Sequence, residues 1–186
     1  MKLRIGLLAL VLSGCVSSGG KENYYTLAAP PFSAPAASAT SPSIYVGPVS
    51  VPDSVDRTAM VLRTSANQVE ISDAHRWAEP LKTAIPRVLA EVLSREMQTQ
   101  RVLTSRQAAT VPVDYRVALE VQRFESSLEQ GALIDAVWTI APSKGAARTG
   151  RTVAQEPAPT RDIQGLAAAH SRALERIGRD IAAALR

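Results

Sequence analysis

The residue with the clearest chemical assignment is Cys15, the only cysteine in the chain. Lys2 and Arg4 form a basic start, Ile5 to Leu12 a short apolar run, and Leu12-Ser13-Gly14-Cys15 closes it with small residues before a thiol. That is the layout of a secretory signal, and the apolar run is too short for a bilayer-spanning helix. Its end has the form of a lipobox, in which the thiol is acylated and the peptide is cut just before it. An odd thiol is a liability in an oxidising compartment unless something consumes it, which argues against an ordinary signal with an incidental cysteine. Several acyl chains, each buried CH₂ contributing about 0.8 kcal/mol, make such an anchor effectively permanent. Val16 follows the cysteine where Asp would retain a lipoprotein in the inner membrane, so the familiar Gram-negative sorting rule points to the outer membrane, facing the periplasm.

The other reactive side chains form no recognisable machinery. His75 and His170 are the only imidazoles. His170 falls within an apolar helical stripe and reads as a partly buried packing residue. His75 precedes Arg76-Trp77 in a stretch read as loop, with no Asp/Ser partner at a hydrolase spacing. Asp53 and Asp56 form an acidic pair, but nothing places a second carboxylate across a cleft. Two His and one Cys supply no zinc framework, and no Gly-rich loop follows a strand to cradle phosphate. The expectation is therefore no enzyme, no metal and no cofactor beyond the covalent lipid on Cys15. Without Lys2 and Arg4 the 21 basic residues fall to 19 against 17 acidic ones, which is no nucleic-acid footprint.

Two clusters stand out. Val51-Pro52-Asp53-Ser54-Val55-Asp56-Arg57 follows a strand, and Arg76-Trp77-Ala78-Glu79-Pro80-Leu81 precedes a helix. In the second, Trp77 offers a large apolar anchor, Arg76 a planar donor fork, and Glu79 an anion at a helix start. The cluster reads first as a staple fixing how the chain enters the helix, with Arg57 or Arg76 paired to Glu79, and second as a partner contact. Tyr24-Tyr25 is similarly either an edge strand or a partner-binding segment.

The elements that position these clusters follow from periodicity. Residues 1–14 are the signal, 15–43 the acylated Cys with a leader and a Pro/Ala/Ser-rich stretch, and 44–186 the main domain. Within the leader, Tyr24 to Leu27 is β-prone and is either a docked first strand or part of the tether. Ile44 to Val51 reads as a strand in which Pro48 favours an edge or a bulge. Met60–Thr64 and Gln68–Ile71 form a hairpin turning at Ser65-Ala66-Asn67. From Glu79 a helix carries Leu81, Ile85, Val88, Leu89, Val92, Leu93 and Met97 on one face, and Pro86 either kinks it or marks its effective start. A short strand lies near 101–104. Tyr115, Val117, Leu119 and Val121 alternate with polar residues, 132–140 runs back, 141–150 is a polar loop, and 151–155 is a third strand. A last helix, capped by Thr160 or Asp162, bears Ile163, Leu166, His170, Ala173, Leu174, Ile177, Ile181 and Leu185. The sum is an α/β chain of the α+β type, with two amphipathic helices on one face of a mostly antiparallel, mixed sheet.

Several strings together carry a resemblance. Tyr24-Tyr25-Thr26-Leu27 follows the lipobox, Asp56-Arg57 precedes a strand, and Arg76-Trp77-Ala78-Glu79-Pro80-Leu81 comes before the helix. Tyr115-Arg116-Val117, Arg123-Phe124-Glu125, Ala136-Val137-Trp138 and an Ala-rich closing helix complete the series. From Tyr24 to Leu185 the chain resembles the PqiC-like ABC-type transport auxiliary lipoproteins. It departs from them in having Ser54-Val55 and Thr58-Ala59 around Asp56-Arg57, where the family tends to have Tyr-Leu and Pro-Gln. The resemblance implies an accessory role beside an MCE-domain substrate-binding protein and separate ABC permease and ATPase chains, moving phospholipids or other hydrophobic molecules between membranes. It also implies that homo-oligomers are possible. The alternative is a structural envelope-assembly lipoprotein without a transport role.

Overall fold

In a computed structural model of the chain, residues 21–31, 41–104 and 110–186 are described; the signal, Cys15 and Val16 lie outside them. Eight strands and two helices follow in the order β1 (Asn23–Tyr25), β2 (Ile44–Ser50), β3 (Ala59–Ser65), β4 (Gln68–Trp77), α1 (Leu81–Glu96), β5 (Val102–Leu103), β6 (Tyr115–Ser127), β7 (Gly131–Pro142), β8 (Arg148–Glu156) and α2 (Ile163–Leu185). The strands form one curled mixed sheet with both helices packed against it, an α+β architecture.

Strand β6 is the pivot. One of its edges pairs with β2 over Tyr115–Glu120 and then with β3 at Ser126, while the other pairs with β7 along its whole length. The longest ladders, β6–β7 and β7–β8, are antiparallel; β1–β4, β2–β5, β2–β6 and β3–β6 run parallel. Alternation explains the β6 face, since Val117, Leu119 and Val121 point into the core between exposed or half-buried neighbours. The β6–β7 turn needs glycine: Gly131 has φ +83°, and a Cβ there would strike the Glu156 carbonyl oxygen. Pro48 sits where the β2–β6 register shifts between Val46 and Val49, a bulge, and beyond the Ile44–Tyr45 pairing of β2 with β5, so both features of the expectation accommodate it.

The helix from the Arg76–Leu81 region begins at Leu81, not Glu79, and runs through the buried Pro86 without a second start. Missing its N–H, Pro86 cannot donate to the Lys82 carbonyl, and the helix continues across that gap. In α2, Asp162 is the N-cap: its side chain accepts from the Gly165 N–H at 2.7 Å and from the Thr160 hydroxyl at 2.8 Å. Both helices bury the apolar stripes read from sequence, except Met97, which is the half-buried C-cap of α1 and not a helical residue, and Gly178 of α2 lets Val92 of α1 approach where a Cβ would collide. Among the described residues no helix is long and apolar enough to cross a membrane.

Two strand boundaries differ from expectation. Strand β4 continues to Trp77, so His75 lies in a strand and not a loop. Between the pairs Ala59↔Arg76 and Val61↔Ile71 the β4 side carries three extra residues, a bulge that breaks the two-residue period; the Ser72 hydroxyl accepts from the His75 N–H inside it. Strand β8 begins at Arg148, inside the stretch read as a polar loop. Polar residues suffice there because β7 supplies the whole ladder, and Gly150 leaves room for the Trp138 indole.

Candidate functional site

Two of the family strings, Tyr24–Leu27 and Arg76–Leu81, meet in the fold, with the Asp56-Arg57 loop beside them. Strand β1 lies parallel to the end of β4, with Tyr24 opposite Arg76 and Tyr25 opposite Trp77, and the Ala78 N–H extends the ladder to the Tyr25 carbonyl at 2.8 Å. Side chains then grip the flanks. Arg76 Nε donates to Glu22 Oε1 at 2.6 Å, and the Tyr24 hydroxyl donates to Glu22 Oε2 at 2.5 Å. On α1, Arg87 donates through Nη2 to the Leu27 carbonyl at 2.8 Å and to Glu79 Oε1 at 2.6 Å. On α2, the Ser171 hydroxyl accepts from the Ala28 N–H at 3.1 Å and donates to the Ala167 carbonyl at 2.9 Å. Residues 22–28 are thus clamped from β4, α1 and α2.

This arrangement corrects the expected pairing of Glu79. Its partner is Arg87, two turns into the helix, and not Arg57 or Arg76. Arg76 is engaged by Glu22, and Asp56 by Lys82 Nζ at 2.5 Å. The Trp77 N–H donates to the Thr58 carbonyl at 2.7 Å, which places the Asp56-Arg57 loop beside the clamp. Arg57 is exposed and its side chain has no partner among the described residues. The electrostatics follow the contacts. The Tyr24 hydroxyl, and after it the Arg76 guanidinium, hold the Glu22 carboxyl below the usual range, and the same bond raises the Tyr24 phenol.

Trp77 turns away from this surface. It is 4% exposed and meets Phe124 and His170 edge-on, with centroids 5.9 and 5.8 Å away. Phe124 and the His170 ring stack in parallel at 4.0 Å. His170 is fully buried rather than partly so, and burial pushes its pKa down to about 3. Its Nε2 shares a 2.7 Å hydrogen bond with the Ser126 hydroxyl, a partner the sequence reading missed although Ser126 follows Phe124 on the inward face of β6. The Ser126–His170 pair is closed to solvent, and Nδ1 of the ring has no partner among the described residues where a triad would place its carboxylate. This is core packing. His75 has a surface role: its Nδ1 shares a 2.9 Å hydrogen bond with the Tyr25 hydroxyl, tying β1 to β4 a second time.

On the opposite face of the sheet, Asp135 is 1% exposed and receives Arg151 through two bonds of 2.8 and 2.7 Å and Arg123 at 3.3 Å. Arg151 holds its carboxyl low against the opposing effect of burial, with Arg123 adding to it. No group of His, Cys, Asp and Glu suited to a metal ion occurs among the described residues. A recess of about 630 Å³ forms an open groove between the clamped segment, with Tyr24, Tyr25 and Ala28–Pro30, and the Gln164–Glu175 side of α2.

No curated protein is similar enough in sequence to count as a match. Solved structures share the fold at low identity. A crystal structure of an uncharacterized protein superposes with a TM-score of 0.73 at 17% identity, covering 89% of this chain and 99% of that one. Protein XCC0632 from Xanthomonas campestris, of the DUF330 family, gives a TM-score of 0.65 at 19% identity over 86% of this chain and 92% of its own. The family description "ABC-type transport auxiliary lipoprotein component" matches residues 25–182, a span that starts inside the clamped strand and ends in the last turns of α2. The chain belongs to the ABC-type transport auxiliary lipoprotein family.

Proposed function

We propose that this protein is the lipid-anchored auxiliary subunit of an ABC system with an MCE-domain substrate-binding chain. It is held on the outer membrane by acylated Cys15 and docks the periplasmic end of the assembly for traffic of phospholipids or other hydrophobic molecules. The observation that carries this reading is that the Arg76–Leu81 string, with the Asp56-Arg57 loop beside it, docks the Tyr24–Leu27 string of the segment downstream of Cys15. Arg76, Glu79 and Tyr25 fix the position of that segment and form no reacting centre. Family membership supports the link to an ABC system, and Val16 supports the choice of membrane. The Asp56-Arg57 loop is the favoured contact, because Arg57 presents a guanidinium to solvent beside the clamp.

The test is crosslinking in intact cells from a photoreactive residue at position 57, with Cys15→Ala run in parallel. Recovery of an MCE protein by the wild-type anchor, and loss of both membrane retention and crosslink in Cys15→Ala, is the expected result. Recovery of only unrelated envelope proteins would overturn the transport reading in favour of a structural envelope role. Unchanged membrane retention of Cys15→Ala would overturn the anchor.

A further inference from the structure

Beyond β1 the sheet ends. In the parallel ladder the Tyr25 carbonyl faces β4, so alternation turns the peptide groups of Tyr24 and Thr26 outward, where they have no partner among the described residues. Tyr24 is 60% exposed, the most exposed of the large hydrophobic side chains described. It is nevertheless held in place, since its hydroxyl binds Glu22 and Glu22 is gripped by Arg76. Beside it lies the groove, with Ala28, Ala29 and Pro30 on one side and Ala167, Ala168 and Ser171 on the other. The nearby carboxylates are each neutralised by arginine: Glu22 by Arg76, and Glu175 by Arg95 and Arg179. Lys21 carries no ion pair among the described residues, so the rim shows an anionic surface no uncompensated negative charge.

The length of chain upstream decides what meets this patch. Six residues lie between Cys15 and Glu22, and the seven steps from one Cα to the other span at most about 25 Å when fully extended. Once Cys15 is acylated, β1 cannot stand farther than that from the headgroups of its own leaflet. A tyrosine fixed at a shallow apolar recess suits the boundary between headgroups and acyl chains, where an aromatic body and a polar tip are both satisfied. The unpaired peptide groups of Tyr24 and Thr26 exclude deeper burial, because the hydrocarbon core leaves them without partners.

We infer that the free edge of β1 at Tyr24, together with the Ala167–Ser171 side of α2, is a membrane-contact surface seated in the headgroup layer of the leaflet that holds the anchor. This rests on the lipoprotein reading above. It assigns the clamp a purpose: the motif holds a membrane-facing edge at a fixed angle to the rest of the domain, leaving the Asp56-Arg57 loop free for a partner.

Acylation consumes the native thiol, so an introduced cysteine is the only free one. Tyr24→Cys, Ala168→Cys and Val153→Cys are labelled with an environment-sensitive fluorophore, Val153 being an exposed apolar control on the far edge strand. The full-length lipidated proteins are placed in phosphatidylethanolamine vesicles containing a minor fraction of phosphatidylglycerol. The same labels are read in unanchored Cys15→Ala protein free of vesicles. Anchoring is expected to reduce iodide quenching several-fold at positions 24 and 168, to allow quenching there by headgroup-proximal spin-labelled lipid, and to leave position 153 unchanged. Ala168→Cys retains Tyr24, so it reports even if the tyrosine substitution weakens contact. Vesicles that float with bound protein while positions 24 and 168 stay as accessible as 153 would overturn this surface and leave the anchor reading intact. Protein that fails to float would overturn both. Shielding of 24 and 168 in the unanchored protein without vesicles would also overturn the inference, because a second copy would then be the occupant.

Discussion

The two ends of the sheet are built on different principles. Strand β8 is nine residues long and pairs with β7 at each of them, so a continuous backbone ladder holds it along its whole length, with Thr152 and Ala154 packed inward and Thr152 bonded to Asp180 of α2. Strand β1 is three residues long, too short to hold itself, and is retained by Arg76, Arg87, Ser171 and His75 reaching from β4, α1 and α2. A self-sufficient edge tolerates varied side chains, whereas a short one needs particular residues at particular places. The recognisable string Arg76 to Leu81 therefore sits at β1 and not at β8. Arg151 at the far edge does pair with Asp135, but the ladder beneath it would persist without that pair.

Substitutions can break this contrast to different degrees. The largest effect is expected from Trp77→Ala, which empties the space between Phe124 and His170 under the clamp and should cost about 3–5 kcal/mol in urea unfolding. Near wild-type stability with partner binding lost would instead assign Trp77 to an interface. Next is pH. His170 has a folded pKa far below its unfolded value near 6.5, so its contribution is present above pH 6.5 and is lost progressively as pH falls toward 3. Stability should drop by about 2 kcal/mol between pH 6.5 and 5, before most carboxylates titrate, and His170→Gln should flatten that slope. A slope unchanged in the variant would place the titration elsewhere.

Smaller effects separate the two edges more finely. Arg87→Ala frees Glu79 and the Leu27 carbonyl and should cost about 1–2 kcal/mol, since the arginine is part-exposed. The loss should concentrate in residues 22–28, and equal loosening of β8 would contradict the division. Tyr24→Ala should change stability by less than about 0.5 kcal/mol, as expected for an exposed side chain whose contacts lie at the surface. A loss above about 1 kcal/mol in thermal unfolding would make it a structural residue of the edge.

What the sequence displayed and what it hid divide along the range of the interactions. The stripes of α1 and α2, the alternation of β6 and the Asp162 cap are written within a few residues and were legible. The bulge at Ser72 to His75 was not, because it inserts residues that destroy the two-residue period while the strand continues. The first residues of β8 were hidden because they are polar and become strand only through β7. At the site, the strings themselves were visible, but their pairing was not: Arg76 meets Glu22 only because β1 docks beside β4 across more than fifty residues, and Glu79 meets Arg87 because the helix starts at Leu81 and turns Arg87 back over its own entry. The Ser126–His170 pair likewise joins β6 to α2 across 44 positions, and no local pattern announces it.

The central claim is that side chains around Arg76 to Leu81, with Arg87, hold residues 22–28 as an ordered edge of the domain. Amide hydrogen exchange at Ala28 and Ala78, read in wild type and Arg87→Ala with Ala154 of β8 as reference, tests it most directly. The account predicts that both amides are protected in wild type and exchange markedly faster in the variant while Ala154 does not change. Ala28 and Ala78 exchanging at unprotected rates in the wild-type protein would contradict it.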